Sequence, residues 1–212
     1  MEQEPLSRVF YQRGAGELAP LLLGKLLCRE TPQGLSAGMI VETEAYCGPE
    51  DDAAHSFGGR RTPRTEAMFG PPGCAYIFRI YGMHCCFNVV AGREGQPQAV
   101  LIRALEPVEG LALMEKRRGT RDALQLCSGP GKLCQALEIG MGQYGLDLCG
   151  NELYLLDYRS FSPAEICLSP RINVDYAQVC RDKPWRFFLK DNPHVSRVPR
   201  RYAPLGTLAE LK

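Results

Sequence analysis

The apolar positions of this chain fall into short blocks, some spaced for helices and some for strands. GELAPLLLGKLLCRE starts with helical spacing and turns into a strand, with Gly24 placed to stop the helix. TPQG is a turn, and GMIVETEAY is the returning strand. CAYIFRI and CCFNVVA read as a strand pair joined by the tight connection YGMH. QAVLIRALEP supplies another strand, and Pro107 is placed to open a helix, PVEGLALMEKRR. SGPGKLCQALEIG predicts a second short helix ending at Gly140, and ELYLLDY, ICLSPRINV and PWRFFLKD predict three more strands. Between residues 47 and 73 lies an irregular stretch rich in Gly, Pro and charge, long enough that a functional role is expected. The pattern predicts one α/β domain (α+β in arrangement) spanning residues 1–212, with a largely antiparallel sheet, flanking helices and a protruding β-hairpin.

One block breaks the pattern. Strand alternation in GMIVETEAY puts Ile40, Glu42, Glu44 and Tyr46 on one face, so two carboxylates sit two residues apart. Burying either is costly unless it is paired or used. A carboxylate and an aromatic at a strand end, before a long loop, suit a pocket wall, and an ionised carboxylate there could act as general base. The competing explanation is a solvated pair on an edge strand.

Composition narrows the class. Apolar residues make up 45% and charged residues 23%, an ordinary globular balance, and no apolar run is long enough for a membrane helix. The start of the chain lacks the features of a secretory signal, and none of the ten cysteines forms a C-x-x-C pair, so free buried thiols are expected. Cys85 and Cys86 are neighbours on a strand and point to opposite faces, which argues against a shared metal ion; no metal is expected. The net charge of +1 announces no nucleic-acid partner, but basic residues cluster at Arg60, Arg61 and Arg64, at Lys116 to Arg121, and from Arg181 to Arg201. Joined in the fold, these would make one phosphate-tracking stripe; taken singly, each is a solvated face. SGPGK combines a Gly-rich turn with Lys132, an anion site in miniature that lacks P-loop spacing. Tyr81, at the tip of YGMH, is either a wedge for stacked bases or a ring folded back on the sheet.

Taken in order, LAPLLLGKLL, IVETEAYCGPEDDAAHS, RTPR with MF, YGMH with FN, LIRALEP, SGPGKL and PWRF resemble the alkyladenine (3-methyladenine) DNA glycosylase family over nearly the whole chain. The resemblance implies a single α/β domain whose β-hairpin enters the DNA minor groove. It makes Glu44 the carboxylate that activates water, with Arg103 completing the active site. Tyr46, His55 and Phe78 become the rings that sandwich an extruded base; Phe78 replaces a tyrosine of better-known members and loses its hydroxyl. Tyr81 fills the gap in the duplex, and Asn88 disfavours the 2-amino group of guanine. Lys132, Arg60, Arg61 and Arg64 are the expected DNA contacts. Damaged double-stranded DNA is the implied partner, with no cofactor, no membrane and a monomeric enzyme. The short N-terminus without a basic extension points to a bacterial cytoplasm rather than a nucleus. Rival readings are a binding module with the same fold, a formyl-transfer enzyme by fold analogy, and a thiol or zinc enzyme.

Overall fold

The computed structural model describes residues 4–199 and 201–205. Its helices are α1 (Arg8–Tyr11), α2 (Ala15–Leu21), α3 (Leu111–Arg118), α4 (Ala123–Leu126) and α5 (Pro130–Ala136). The strands are β1 (Leu26–Thr31), β2 (Gly34–Tyr46), β3 (Ala75–Ile80), β4 (His84–Ala91), β5 (Gln98–Glu109), β6 (Leu153–Leu156), β7 (Ile166–Ser169), β8 (Arg186–Leu189) and β9 (Ala203–Pro204). All the pairings between them are antiparallel, in the order β3-β4-β5-β2-β8-β7-β9, with β1 and β6 branching from β2.

The long β2 is the spine. Its first half pairs with β1, its second half with β8, and β5 runs along its other side. It is therefore an interior strand, and both faces are buried from Ser36 to Ala45. This overturns the picture of a half-exposed strand with a solvated acidic pair: Ile40 joins the apolar core, and Glu42 and Glu44 are completely buried. On one face Val41 and Ala45 meet the core, and the Thr43 hydroxyl donates to Ala19 O of α2 at 2.9 Å. On the opposite face sit Glu42, Glu44 and Tyr46.

Three boundaries differ from expectation, one being β7, which stops at Ser169 before Pro170 instead of running to Val174. β5 runs through Pro107 to Glu109, so that proline opens no helix. It lies opposite Gly38, next to a register shift in the β2–β5 ladder, where an irregular pairing tolerates a residue without an N–H. Gly38 is needed there because a Cβ would come 2.9 Å from Leu105 Cβ. The turn into α3 is made by Gly110, at φ 73°, where a side chain would strike Leu35 O. α5 stops at Ala136 rather than Gly140, because Glu138 takes the left-handed conformation (φ 55°).

The ten cysteines are all free thiols. Burial pushes Cys28, Cys47 and Cys127 up to about 12 and Cys86 up to about 11, and raises Cys134 well above the usual thiol range. Among the described residues no helix is long and apolar enough to cross a membrane.

Candidate active site

Strand register builds the site. Tyr76 of β3 pairs with Asn88 of β4, Asn88 with Leu101 of β5, Leu101 with Glu44 of β2, and Glu44 with Arg186 of β8. This row crosses five strands on one face. Phe78 and Cys86 form the next pair, and Tyr46 stands two residues beyond Glu44.

Glu44 is held from three directions. Ile172 N–H donates to Oε1 at 2.7 Å, while the Tyr46 hydroxyl (3.0 Å) and Arg103 Nη1 (3.2 Å) donate to Oε2. A carboxylate offers about four acceptor positions, so one on Oε1 remains for a further donor. Burial, with Glu44 beside it, pushes the Tyr46 phenol well above its usual range, so Tyr46 stays a donor. Burial works against the Arg103 charge, but Glu44 and Glu42 more than offset it and raise its pKa. Glu42, whose partner the sequence left unnamed, receives Arg103 Nε (3.1 Å) and Arg186 Nε (2.7 Å) on Oε1 and Ser196 N–H (2.7 Å) on Oε2.

Above this network lies a cavity of about 350 Å³, lined by Tyr46, His55, Tyr76, Phe78, Asn88, Leu101 and Arg103 among others. His55 and Phe78 meet edge to face, with ring centroids 4.6 Å apart. His55 Nδ1 lies 2.8 Å from the Tyr76 hydroxyl, and Arg64 Nη2 lies 3.4 Å from Nε2. Because a guanidinium only donates, that geometry makes Nε2 the acceptor and puts the proton on Nδ1. Burial first, then Arg64 and Arg60, push His55 down to about 4, so the ring is neutral at pH 7. Asn88 is buried, and its Nδ2 donates to Tyr76 O at 2.9 Å and toward Cys86 O at 3.5 Å.

Two loops close the wall, joined by polar contacts that sequence reading missed. Arg171 donates to both Asp51 oxygens (2.6 and 2.8 Å) and to Ala45 O (2.9 Å). Its guanidinium also stacks over Tyr46, 4.6 Å from the ring centroid. Asp52 accepts backbone N–H groups from Gln178, Val179 and Cys180, which hold its carboxyl down at about 2. Asp51, Asp52 and Cys180 are near enough to suggest a metal site, but these contacts already occupy both carboxylates. The Tyr176 hydroxyl donates to Ala53 O at 2.9 Å, completing the latch. In the sequence Arg171 is a lone arginine in an apolar string, and Arg186 counts only as one of the C-terminal basic cluster.

The hairpin tip stands clear of this wall. Tyr81 is 86% exposed and sits at φ 52°, followed by Gly82 at φ 72°, in a tight turn between β3 and β4. The left-handed conformation costs a non-glycine residue about 1–2 kcal/mol, here in presenting an aromatic ring outward at the cavity mouth. Arg60 and Arg64 line an adjoining groove of about 560 Å³ with His55 and Tyr176. Arg61 instead forms a two-pronged pair with Glu66 (2.9 and 2.6 Å). Lys132 Nζ rests on Gln125 Oε1 (2.6 Å) and Ser128 Oγ (3.4 Å). Three members of the expected basic stripe are engaged within the fold. Arg117 bonds Ser36, Thr31, Glu138 and Ala136 O; Arg118 bonds Gln125 O, Leu126 O and Gln135; Arg186 is buried on Glu42. Arg186 is buried, Arg117 and Arg118 are half-buried, and Arg200 lies outside the described residues.

Comparison with known proteins gives the class: the chain is a DNA glycosylase, a hydrolase of N-glycosyl bonds. It belongs to the family described as Methylpurine-DNA glycosylase (MPG), which residues 9–193 match. A protein of Desulfitobacterium hafniense (strain Y51), named "Putative 3-methyladenine DNA glycosylase", is 49% identical over 199 residues, covering 90% of this chain and 98% of its own length. Proteins of the same name from Bacillus licheniformis and Bacillus subtilis (strain 168) are 50% identical over 194 residues and 49% over 196. Each alignment covers 92% of this chain, with 97% of the first and 98% of the second.

Proposed function

We propose that this enzyme acts in DNA repair by flipping alkylated or deaminated purines, 3-methyladenine and hypoxanthine among them, into the ring-lined cavity. Water then hydrolyses the N-glycosidic bond. The carrying observation is Glu44: a buried carboxylate anchored directly behind the cavity-lining Tyr46, Arg103 and Ile172, with one acceptor position free on Oε1. Glu44 takes a proton from a water whose oxygen bonds to C1′, and the C1′–N electron pair leaves with the base. Its anion also stabilises the positive charge that develops on the sugar. Arg103 fixes the carboxylate, and Tyr46, His55 and Phe78 contact the faces of the base. A neutral His55 suits this role, because a protonated ring would repel a purine made cationic by alkylation at N3 or N7. No lysine is among the cavity-lining residues, so no Schiff base forms and the abasic site is left uncut. Unstacking costs least for damaged or mismatched pairs, which adds selectivity. The test is base release from matched duplexes carrying 3-methyladenine or hypoxanthine, followed by alkali to reveal abasic sites. Strand breaks without alkali, or no release of either base, would overturn the proposal.

Tyr81 is proposed as the wedge that holds the vacated stack open, and Lys132, Arg60 and Arg64 as phosphate contacts; Arg61 joins them only where DNA displaces Glu66. Tyr81→Ala should weaken binding to lesion duplex by about 1–3 kcal/mol, on the scale of base–aromatic stacking. Single-stranded substrate, with no stack to hold, should lose less. Titrations showing equal losses on both substrates would assign Tyr81 to folding instead.

Asn88 is proposed as the group that crowds the guanine 2-amino group. Its bond to Tyr76 O keeps the amide from swinging aside, as steric exclusion requires. In Asn88→Ser, release of guanine-type bases should rise relative to hypoxanthine. The ratio of single-turnover rates on matched duplexes is the measurement, and a ratio equal to wild type in an active mutant would remove this role.

A further inference from the structure

We infer that Glu42 and Arg186 are positioning residues for Glu44, dividing the Arg103 guanidinium so that Glu44 receives only part of it; this rests on the reading of Glu44 as general base. The geometry is specific. A guanidinium facing one carboxylate normally binds it two-pronged, the strongest arrangement available to the pair. Arg103 does not. Its Nε goes to Glu42 Oε1 at 3.1 Å, and only Nη1, at 3.2 Å, reaches Glu44 Oε2. Arg186 Nε meets the same Glu42 oxygen at 2.7 Å, and Ser196 N–H holds the other. Glu42 and Glu44 are completely buried, and Arg103 and Arg186 are nearly so. The cluster contains two carboxylates and two guanidiniums, and it balances to zero.

A two-pronged Arg103 would bind Glu44 tightly and make it a poor proton acceptor. A Glu44 without Arg103, beside an unpaired Glu42, would hold a proton too readily. Glu42 pulls Arg103 away from Glu44, and Arg186 limits that pull by neutralising part of Glu42. Other groups also face Glu44. Tyr46 shares its strand and bonds it directly. Ile172 N–H bonds it from the loop after β7, and its charge reaches Cys86 of β4 and Arg171 and Tyr176 of that same loop. Neither Tyr46 nor Ile172 bonds Glu42, so changing Glu42 or Arg186 leaves their direct bonds to Glu44 in place.

The inference fixes opposite signs for two substitutions. Glu42→Gln keeps the shape but removes one negative charge, freeing Arg103 to turn onto Glu44, whose titration should move down by about one unit or more. Arg186→Met removes a positive charge and leaves Arg103 to neutralise Glu42, so Glu44 should move up by about as much. If Arg186→Met does not fold, Arg186→Gln makes the same change of charge.

The readout is the side-chain carboxyl carbon of Glu44 in free protein labelled with 13C-glutamate, assigned by its loss in Glu44→Gln and followed by NMR over pH. Direct observation is needed because His55 titrates at about 4 and would blur an activity profile. Shifts of opposite sign support the inference. Shifts of the same sign, or none, overturn it, since purely structural damage has no reason to reverse with charge. The acid limb of single-turnover base release is then measured on the same variants. If Glu44 shifts as described but the limb does not follow, the general-base reading fails while the charge-sharing inference stands.

Discussion

Glu44→Gln should lower single-turnover base release by about 10²-fold or more, the scale on which positioned general bases contribute. The substitution is isosteric, yet it removes both properties assigned to this side chain. A carboxamide takes no proton from water at neutral pH, and it opposes the charge developing on the sugar with a dipole instead of an anion. Binding to a lesion duplex should persist, because the hairpin tip, the cavity rings and the groove arginines are untouched. Fold is expected to hold as well: Glu42 still accepts from Arg103 Nε, so the cation keeps a buried partner. The measurements are base release with enzyme in excess, lesion-duplex affinity, and thermal melting. Excision near the wild-type rate would take Glu44 out of the mechanism.

Arg171→Met should cost about 3–5 kcal/mol of stability, as when one member of a buried ion pair is removed. Both Asp51 oxygens would lose the guanidinium, and Ala45 O would lose its Arg171 donor in an interior where water does not replace it. The damage should reach the chemistry too. Ile172, next in sequence, presents the N–H that fixes Glu44 Oε1, so excision should fall together with the urea midpoint. Arg171→Met combined with Asp51→Asn, which removes the charge but keeps an oxygen for the backbone donors of Cys47 and Ala53, separates the causes. Removing both charges should recover much of the lost stability, whereas a double mutant as unstable as the single one would show that packing against Tyr46 and Trp185, and not the ion pair, was lost.

The parts of this site that could be read in the sequence are those contained in one strand or one turn. Glu44 and Tyr46 stand out because period-two alternation places them together, and Tyr81 because it occupies a hairpin tip. The resemblance supplied His55, Phe78, Asn88 and Arg103, which no local pattern joins. What escaped are partnerships made across the fold. Arg171 and Asp51 are separated by 120 positions and Arg186 and Glu42 by 144, so nothing in a local window links them. The same limit explains the basic clusters. Composition counts Arg117, Arg118 and Arg186 as surface charge, but each finds its acceptors on segments brought near only by folding. Pro107 misled for a related reason: its ring suits a helix start, and only the bulged ladder opposite Gly38 shows that a strand can hold it.

The ten free thiols have a consequence for survival under chemical stress. A cell with methylated bases also contains the electrophiles that made them, and sulfur reacts with these as a thiolate. For thiols pushed up to about 12, such as Cys28, Cys47 and Cys127, the thiolate at pH 7 is about one part in 10⁵. Burial thus hides the thiolate reactivity of these cysteines from the reagents whose damage the enzyme clears.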